Sequence, residues 1–310
     1  MALRIGTSGW NYPTGKGTWN GIFYPLPEDR ERGFDELRFY SERFNTVEVN
    51  STFYGQPKAN ATIKWVKRTP ADFEFALKLF QKFTHPGMSI DPGPVTQADI
   101  DAFKGGIDPL AAAGKLGPLL IQFPSSFHRT PETTAYVDWL LKAFTGYTLA
   151  VELRHRSWSD APETAQLLDQ AHAAWVQIDE PKFKSSIRQD LVGGNVDVYY
   201  LRLHGRNAKQ WWDHAESEDR YNYAYSREEL EPIAEVVRDV QSMARMRPGV
   251  TVKKAHLFFN NHFSAQSIAN AITLKKMLDE PITGKLPPEM IDRFPDLAGL
   301  APILPRARLL

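Results

Sequence analysis

The sequence predicts an α/β chain folded as a single (β/α)8 barrel of the TIM type, and three observations carry that reading. Eight short runs of β-branched and aromatic residues recur along the 310 residues, and helical periodicity fills most of the intervals between them. Such alternation implies parallel pairing, with the helices as crossovers. Polar residues also recur at or near the C-terminal end of seven consecutive runs, the second to the eighth, on the face opposite the apolar one. A doubly wound open sheet is the alternative, but no G-x-G-x-x-G or G-x-x-x-x-G-K-[ST] stretch supports a dinucleotide or phosphate-loop version of it.

The runs follow in order. Leu3 to Gly6 forms the first strand, and an aromatic, glycine-rich loop from Thr7 to Tyr24 leads to a helix over Gly33–Phe44. Thr46–Asn50 is the second strand, followed by a helix over Asn60–Arg68 that Pro70 closes. Phe73–Leu79 is the third; the loop His85–Pro94 and a helix from Gln97 to Ala113 follow. Leu119–Phe123, stopped by Pro124, is the fourth, and Pro131–Phe144 suits a helix with proline in its first turn. Thr148–Arg154 and Trp175–Asp179 are the fifth and sixth strands, flanking a helix over Pro162–Ala173. An irregular stretch to Val196 precedes the seventh strand, which starts at Val198 and ends at Gly205. Ser226–Met243 places Leu230, Ile233, Val237 and Val240 on one helical face. Ala255–Phe259 is the eighth strand, and Ser264–Leu278 the last helix, with Ser264 as its N-cap. The barrel domain is therefore assigned to residues 1–280, with long loops at the C-terminal face of its strands. Residues 281–310, rich in proline, are read as an extension packed on it.

Bulk composition narrows the functions. Basic and acidic residues balance at 37 each, so no overall charge draws the chain to nucleic acid or an anionic membrane. There is no cysteine, which removes disulfides, thiolate nucleophiles and cysteine-held metals. No apolar run reaches bilayer length and no signal-like segment opens the chain, so a cytoplasmic protein is expected.

Side chains alternate along a strand, so the face opposite the apolar one points into the barrel. That places Glu48 and Asn50, Lys78, Gln122, Glu152 and Arg154, Asp179, Arg202 and His204, and Asn260 at the inward C-terminal ends of successive strands. Barrel interiors are normally aliphatic, and an unpaired buried charge is costly. These residues therefore form either a network of ion pairs plugging the barrel or a polar ligand site at its mouth, where barrel enzymes keep their active sites. In the second case Glu48, Glu152, Asp179 and His204 are the candidate acids and bases. Asn50, Tyr54, Lys78, Gln122, Arg154, Trp158, Arg202, Arg206, Asn260 and Asn261 are the candidate ligand contacts.

The loops after the last two strands hold Gly205-Arg206-Asn207 and Asn260-Asn261-His262, where barrels often seat phosphate. Trp10, Tyr12, Trp19, Phe53, Tyr54, Trp158, Trp211 and Trp212 crowd the loops; they stack on a sugar or base, or simply pack the loops. Only eight histidines occur, and His204 alone ends a strand facing inward. His85, His128, His155 and His262 sit in loops, so no transition-metal site and no cofactor is expected. Magnesium on Glu48, Glu152 or Asp179 is the metal reading left open. No G-x-S-x-G elbow occurs either.

Several stretches together resemble the YecE-like family, domain-of-unknown-function family 72. They are Ile5-Gly6-Thr7-Ser8-Gly9-Trp10, Phe23-Tyr24-Pro25, Thr46 to Tyr54, Phe75-Ala76-Leu77-Lys78 with Thr84-His85, and Gln122-Phe123-Pro124. Val151 to His155 with Ser157-Trp158, Tyr200 to Arg206, and Phe258-Phe259-Asn260-Asn261 complete the pattern, which ends near residue 280. The resemblance implies a (β/α)8 fold and no settled activity. Sugar isomerases and metal-dependent endonucleases share that fold, but fold alone does not fix function.

The residues support an enzyme acting without a cofactor on a small anionic polyol, a sugar phosphate or sugar acid. In it Lys78, Arg154 and Arg202 hold the anion while Glu48 or Glu152 acts as base and His204 or Asp179 as acid. The alternatives are a nucleic-acid-processing barrel, with arginines on phosphates and rings on bases, and a non-catalytic sensor using the same pocket.

Overall fold

The computed structural model describes residues 1–88, 93–189, 197–211, 216, 218–242 and 251–305. Strands and helices alternate along it. They run β1 (Ala2–Thr7), α1 (Glu36–Ser41), β2 (Thr46–Val49), α2 (Ser51–Tyr54), α3 (Ala59–Lys67), β3 (Glu74–Lys78), α4 (Gln81–Thr84) and α5 (Gln97–Ala112). Next come β4 (Leu116–Gln122), α6 (Pro131–Ala143), β5 (Leu149–Glu152), α7 (Arg156–Ser159), α8 (Glu163–Gln170), β6 (Ala173–Trp175) and β7 (Gln177–Asp179). The chain finishes with β8 (Val198–Leu203), α9 (Arg227–Gln241), β9 (Lys254–Phe259), α10 (Gln266–Met277) and α11 (Pro288–Arg293).

All strand pairs are parallel. One sheet has the order β1-β9-β8-β7 and the other β2-β3-β4-β5-β6. The single sixth strand expected over Trp175–Asp179 is thus two pieces, broken at Val176. There the chain leaves the second sheet for the first, its Val176 N–H still donating to the Val151 carbonyl at 2.9 Å. At the other margin Ser8, just past β1, bridges to Glu48 in β2, and Gly9 N–H donates to the Glu48 carbonyl at 2.7 Å. The Tyr40 hydroxyl spans the same junction, accepting from Thr7 N–H at 3.0 Å and donating to the Thr46 carbonyl at 3.1 Å.

Capping chemistry sets the helix bounds. Asp35 caps α1, so the helix starts later than the apolar pattern alone predicts. Thr96 with Asp99, Thr130 with Thr133 and Ser226 with Glu229 close capping boxes on α5, α6 and α9. Ser264 does not cap the last helix: it lies in a short 3-10 turn with φ 49°, and Ala265, at φ 62°, occupies the cap position without a side-chain bond. Helix α2 follows directly on β2, α4 lies two residues beyond β3, and α7 three beyond β5; each is four residues long. Pieces that short carry no readable period.

The core lies between helices and sheets and is rich in rings; Phe73, Phe75, Phe83, Phe103 and Phe144 are all buried. Leu286, Met290 and Leu297, from the segment after residue 280, join the same cluster. Leu286 also bridges to Ile303.

At the N-terminal ends of the strands Glu74 accepts from Arg4 at 2.9 Å, Lys254 at 2.5 Å and His256 at 3.2 Å. Burial pushes its carboxyl up, but the bonds from His256 and Lys254 and the Arg4 charge outweigh it and hold the pKa down at about 2. A carboxylate depressed in the folded state stabilises the fold above its unfolded pKa, and that contribution is lost as pH falls through the folded value. Glu74→Gln is therefore expected to melt lower than the native chain at pH 7, with the gap closing between about pH 4.5 and pH 2. Thermal melts across that range check it; a gap that stays constant with pH removes the ionic explanation.

Candidate active site

At the opposite ends of the strands lies a cleft of about 730 Å³. Strands β2 to β5, β8 and β9 each contribute a residue near or just past their C-terminal ends. Lys78 ends β3, Gln122 ends β4, Arg154 follows β5, Arg202 lies in β8, and Asn260 follows β9. Asn50 and Tyr54 enter from the turn and helix after β2, and Trp10 and Tyr12 from the loop after β1.

Beneath the cleft is a buried ion-pair cluster. Arg202 grips Glu48 with two bonds, Nε to Oε2 at 2.9 Å and Nη2 to Oε1 at 2.7 Å, and reaches Glu152 Oε2 through Nη1 at 2.6 Å. The remaining capacity of Glu48 is taken by the hydroxyls of Ser8 and Tyr200, each donating at 2.7 Å. Arg154 Nε donates to Glu152 Oε1 at 2.6 Å. All four carboxylate oxygens are thus committed, and both acids are 0% exposed. Burial raises the Glu152 carboxyl, but the Arg202 and Arg154 charges overcome it and hold the group well below the usual carboxylate range.

His204 is wedged against the same two guanidiniums, its Nε2 3.3 Å from Arg154 Nη2 and 3.5 Å from Arg202 Nη1. Burial and those two charges keep it neutral, far below its ordinary pKa. Guanidinium nitrogens only donate, so Nε2 accepts and Nδ1 carries the proton. Asn260 places its side-chain nitrogen 2.9 Å from Nδ1, so a proton on Nδ1 requires the amide to turn its oxygen to the ring.

Lys78 stands apart from this cluster. Its amine lies 3.8 Å above the Phe53 ring, and among the described residues it makes no hydrogen bond or ion pair. Burial, and then the Arg202 and Arg154 charges, lower its pKa to about 7 against the opposing pull of Glu152 and Glu48. Arg154 also faces the cleft, with 21% of its side chain exposed. Asn50 Oδ1 is buried without a partner in the wall. Rings complete the enclosure: Tyr12 stacks on His262 at 4.0 Å, and Tyr221 and Trp211 close the side after β8.

Four of the residues singled out from sequence lie elsewhere. Asp179 accepts from Arg206 Nη2 at 2.7 Å and from the Tyr225 hydroxyl at 2.7 Å. Both it and Arg206 line a separate cavity against Ile233 and Val236 of α9. Trp158 is buried, its indole N–H on the Phe127 carbonyl at 2.8 Å. Asn261 is also buried, bonding the Tyr223 carbonyl and the Asn270 side chain. Trp212 lies outside the described residues. Conversely, Ser8, Tyr200, His85, Arg220 and Tyr221 belong to the cleft or its floor without having been assigned there. Tyr200 was legible, because it sits two residues before Arg202 on the same face. Among the described residues no group of three or more His, Asp or Glu side chains is placed to hold a metal, and no helix is long and apolar enough to cross a membrane.

Residues 4–291 match the family model described as protein of unknown function DUF72. The chain belongs to this family. The DUF72 chain is 30% identical to UPF0759 protein YunF of Bacillus subtilis (strain 168), over 94% of its own length and all of that protein. It is 28% identical to UPF0759 protein YecE of Escherichia coli (strain K12) over 44% of its length and 48% of YecE. Among solved structures, a DUF72 family protein of Thermotoga maritima MSB8 superposes with a TM-score of 0.72 at 34% identity, covering 90% of this chain and all of that one. A second, from Enterococcus faecalis V583, gives 0.73 at 24% identity over 91% and 98%, and so supports the fold alone. The printed names of these relatives carry no activity, so for this DUF72 chain the reaction has to be argued from the cleft.

Proposed function

We propose that the two sheets are the arcs of one (β/α)8 barrel and that the cleft at its mouth is the active site of a cofactor-independent enzyme acting on a small anionic polyol. Closure is supported at both margins, by the strand that changes sheet at Val176 and by the Ser8–Glu48 bridge. The single observation that carries the enzyme reading is the Lys78 amine, set 3.8 Å over the Phe53 ring with no acid paired to it among the described residues and open to a cleft whose other cations favour an anion. Burial and those cations bring its pKa down to about 7. A general base works best when its pKa lies near the operating pH.

The roles follow from which groups are free. Glu48 and Glu152, the candidate bases on sequence grounds, are spent on Arg202 and Arg154, so the proton-accepting role passes to Lys78. Arg154 holds the anionic group: 21% of its side chain is exposed in the cleft, and its Nη1, 3.8 Å from Glu180 Oε2, makes no hydrogen bond among the described residues. Asn50 Oδ1 accepts from a substrate hydroxyl, and the rings of Trp10, Tyr12 and Tyr54 cover the carbon skeleton. A cytoplasmic setting suits such a substrate.

Thermal shift against sugar phosphates, sugar acids, nucleotides and oligonucleotides tests this, because a ligand that binds only the folded state raises its melting temperature. A small anion should stabilise the native chain, and Arg154→Ala should abolish that stabilisation. Turnover should rise with pH through about 7 as the Lys78 amine loses its proton. The aromatic wall favours nucleic acid as the second reading; stabilisation by oligonucleotides alone, steeply weakened by salt, would establish it in place of the first.

A further inference from the structure

We propose that Lys78 is a covalent catalyst, its amine adding to the carbonyl carbon of an anionic aldehyde or ketone to form an imine. This rests on the reading of the cleft as an active site for small anions and narrows the substrate to one bearing a carbonyl.

The case starts from what the neighbouring groups cannot do. Isomerisation or bond cleavage beside a carbonyl needs a group to take a proton and a place for the electrons left behind. Glu48 and Glu152 have every oxygen bonded. The Nε2 of His204 faces two guanidiniums, and that ring is buried beneath the cleft. Neither acid nor His204 is thereby left poised to exchange protons near neutrality. Lys78 is the exception, standing over Phe53 with no acid paired to it. A lysine beside other cations and out of reach of a counter-ion holds its amine free at neutral pH, in keeping with its pKa of about 7.

An imine supplies the missing electron sink from this one residue. The nitrogen lone pair forms the C–N bond while the carbonyl π pair moves to oxygen. Nζ gives up two protons, both end on that oxygen, and it leaves as water. Protonation of the C=N bond then draws electrons from the adjacent carbon. Hydrolysis reverses the steps, so no oxidant or reductant is consumed. The anionic group of the substrate, held on Arg154, offsets the cation formed at the imine, and Asn50 Oδ1 lies ready to accept from a neighbouring hydroxyl.

The test uses the full-length protein with dihydroxyacetone phosphate and glyoxylate as carbonyl probes, glycerol 3-phosphate as a carbonyl-free control, and cyanoborohydride to reduce any imine. Intact mass and peptide mapping should show one adduct on Lys78, at least about tenfold above any other lysine, with a yield that climbs through about pH 7. The control should give none. Lys78→Arg, with melting behaviour like the native chain, should lose the adduct and keep the thermal stabilisation by glycerol 3-phosphate. Labelling by trinitrobenzenesulfonate across pH provides an arm that depends on no particular substrate. If Lys78 reacts no faster than surface lysines and carries no adduct, while the phosphates still stabilise the protein, the imine is overturned and the acid–base reading stands. If the phosphates and glyoxylate also leave the melting temperature unchanged, the anion site falls with it.

Discussion

Arg202→Met should destabilise the fold by about 3–5 kcal/mol, the cost of stranding buried charge when one partner of a buried pair is removed. The arginine supplies three hydrogen bonds to Glu48 and Glu152, both fully buried. Without it Ser8 and Tyr200 still donate to Glu48 and Arg154 to Glu152, but Glu48 has lost the only cation it is ion-paired with among the described residues. Arg202→Lys should recover little, because one ammonium cannot span two carboxylates with a planar fork. Adding Glu48→Gln to Arg202→Met should restore part of the loss, which would locate the penalty in the stranded charge. Urea unfolding measures all of these. A loss below about 1 kcal/mol for Arg202→Met would mean that the cluster is hydrated and weak, as exposed pairs are.

The second large effect has a sign opposite to helix propensity. Alanine normally stabilises a helix by about 1 kcal/mol over glycine, yet Gly106→Ala in α5 should destabilise by about 1–3 kcal/mol. A Cβ there would stand 2.7 Å from the Pro57 carbonyl carbon and closer still to its oxygen. The contact cannot relax freely, because the Thr62 hydroxyl ties α3 to the Gly106 carbonyl at 2.8 Å. The adjacent Gly105 has nothing within 4 Å of its Cβ position, so Gly105→Ala should be stabilising. Melting temperatures moving in opposite directions would establish the close approach of α5 to Pro57; two increases would show that the helix simply shifts away.

Strand alternation made most of the site legible. It placed Glu48, Lys78, Gln122, Glu152, Arg202 and Asn260 at one end of the sheets because each sits in, or just past, an uninterrupted strand of known apolar face. It failed at Asp179 because the strand is broken at Val176, and a one-residue irregularity changes which face the following residues take. What sequence could not show is partnership. Whether an inward acid is spent or free depends on residues far away in the chain, and Glu48 meets Arg202 only through the fold. The same limit hid the burial of Trp158, since no local pattern says which ring of a loop turns inward. Lys78 looked like any other inward cation until the structure showed both nearby acids already taken.

The Glu48–Arg202 pair also bears on how the chain is made. Its members lie 154 residues apart, so at ribosomal speeds of about 5–20 residues per second Glu48 emerges roughly 8–30 s before the arginine that neutralises it. Through that interval the nascent chain holds Glu48 without the cation it pairs with, while Glu152 has Arg154 alone. Glu48 can reach its final pairing only once β8 has been translated. A stop codon between β5 and β8 would release a fragment that lacks Arg202 altogether.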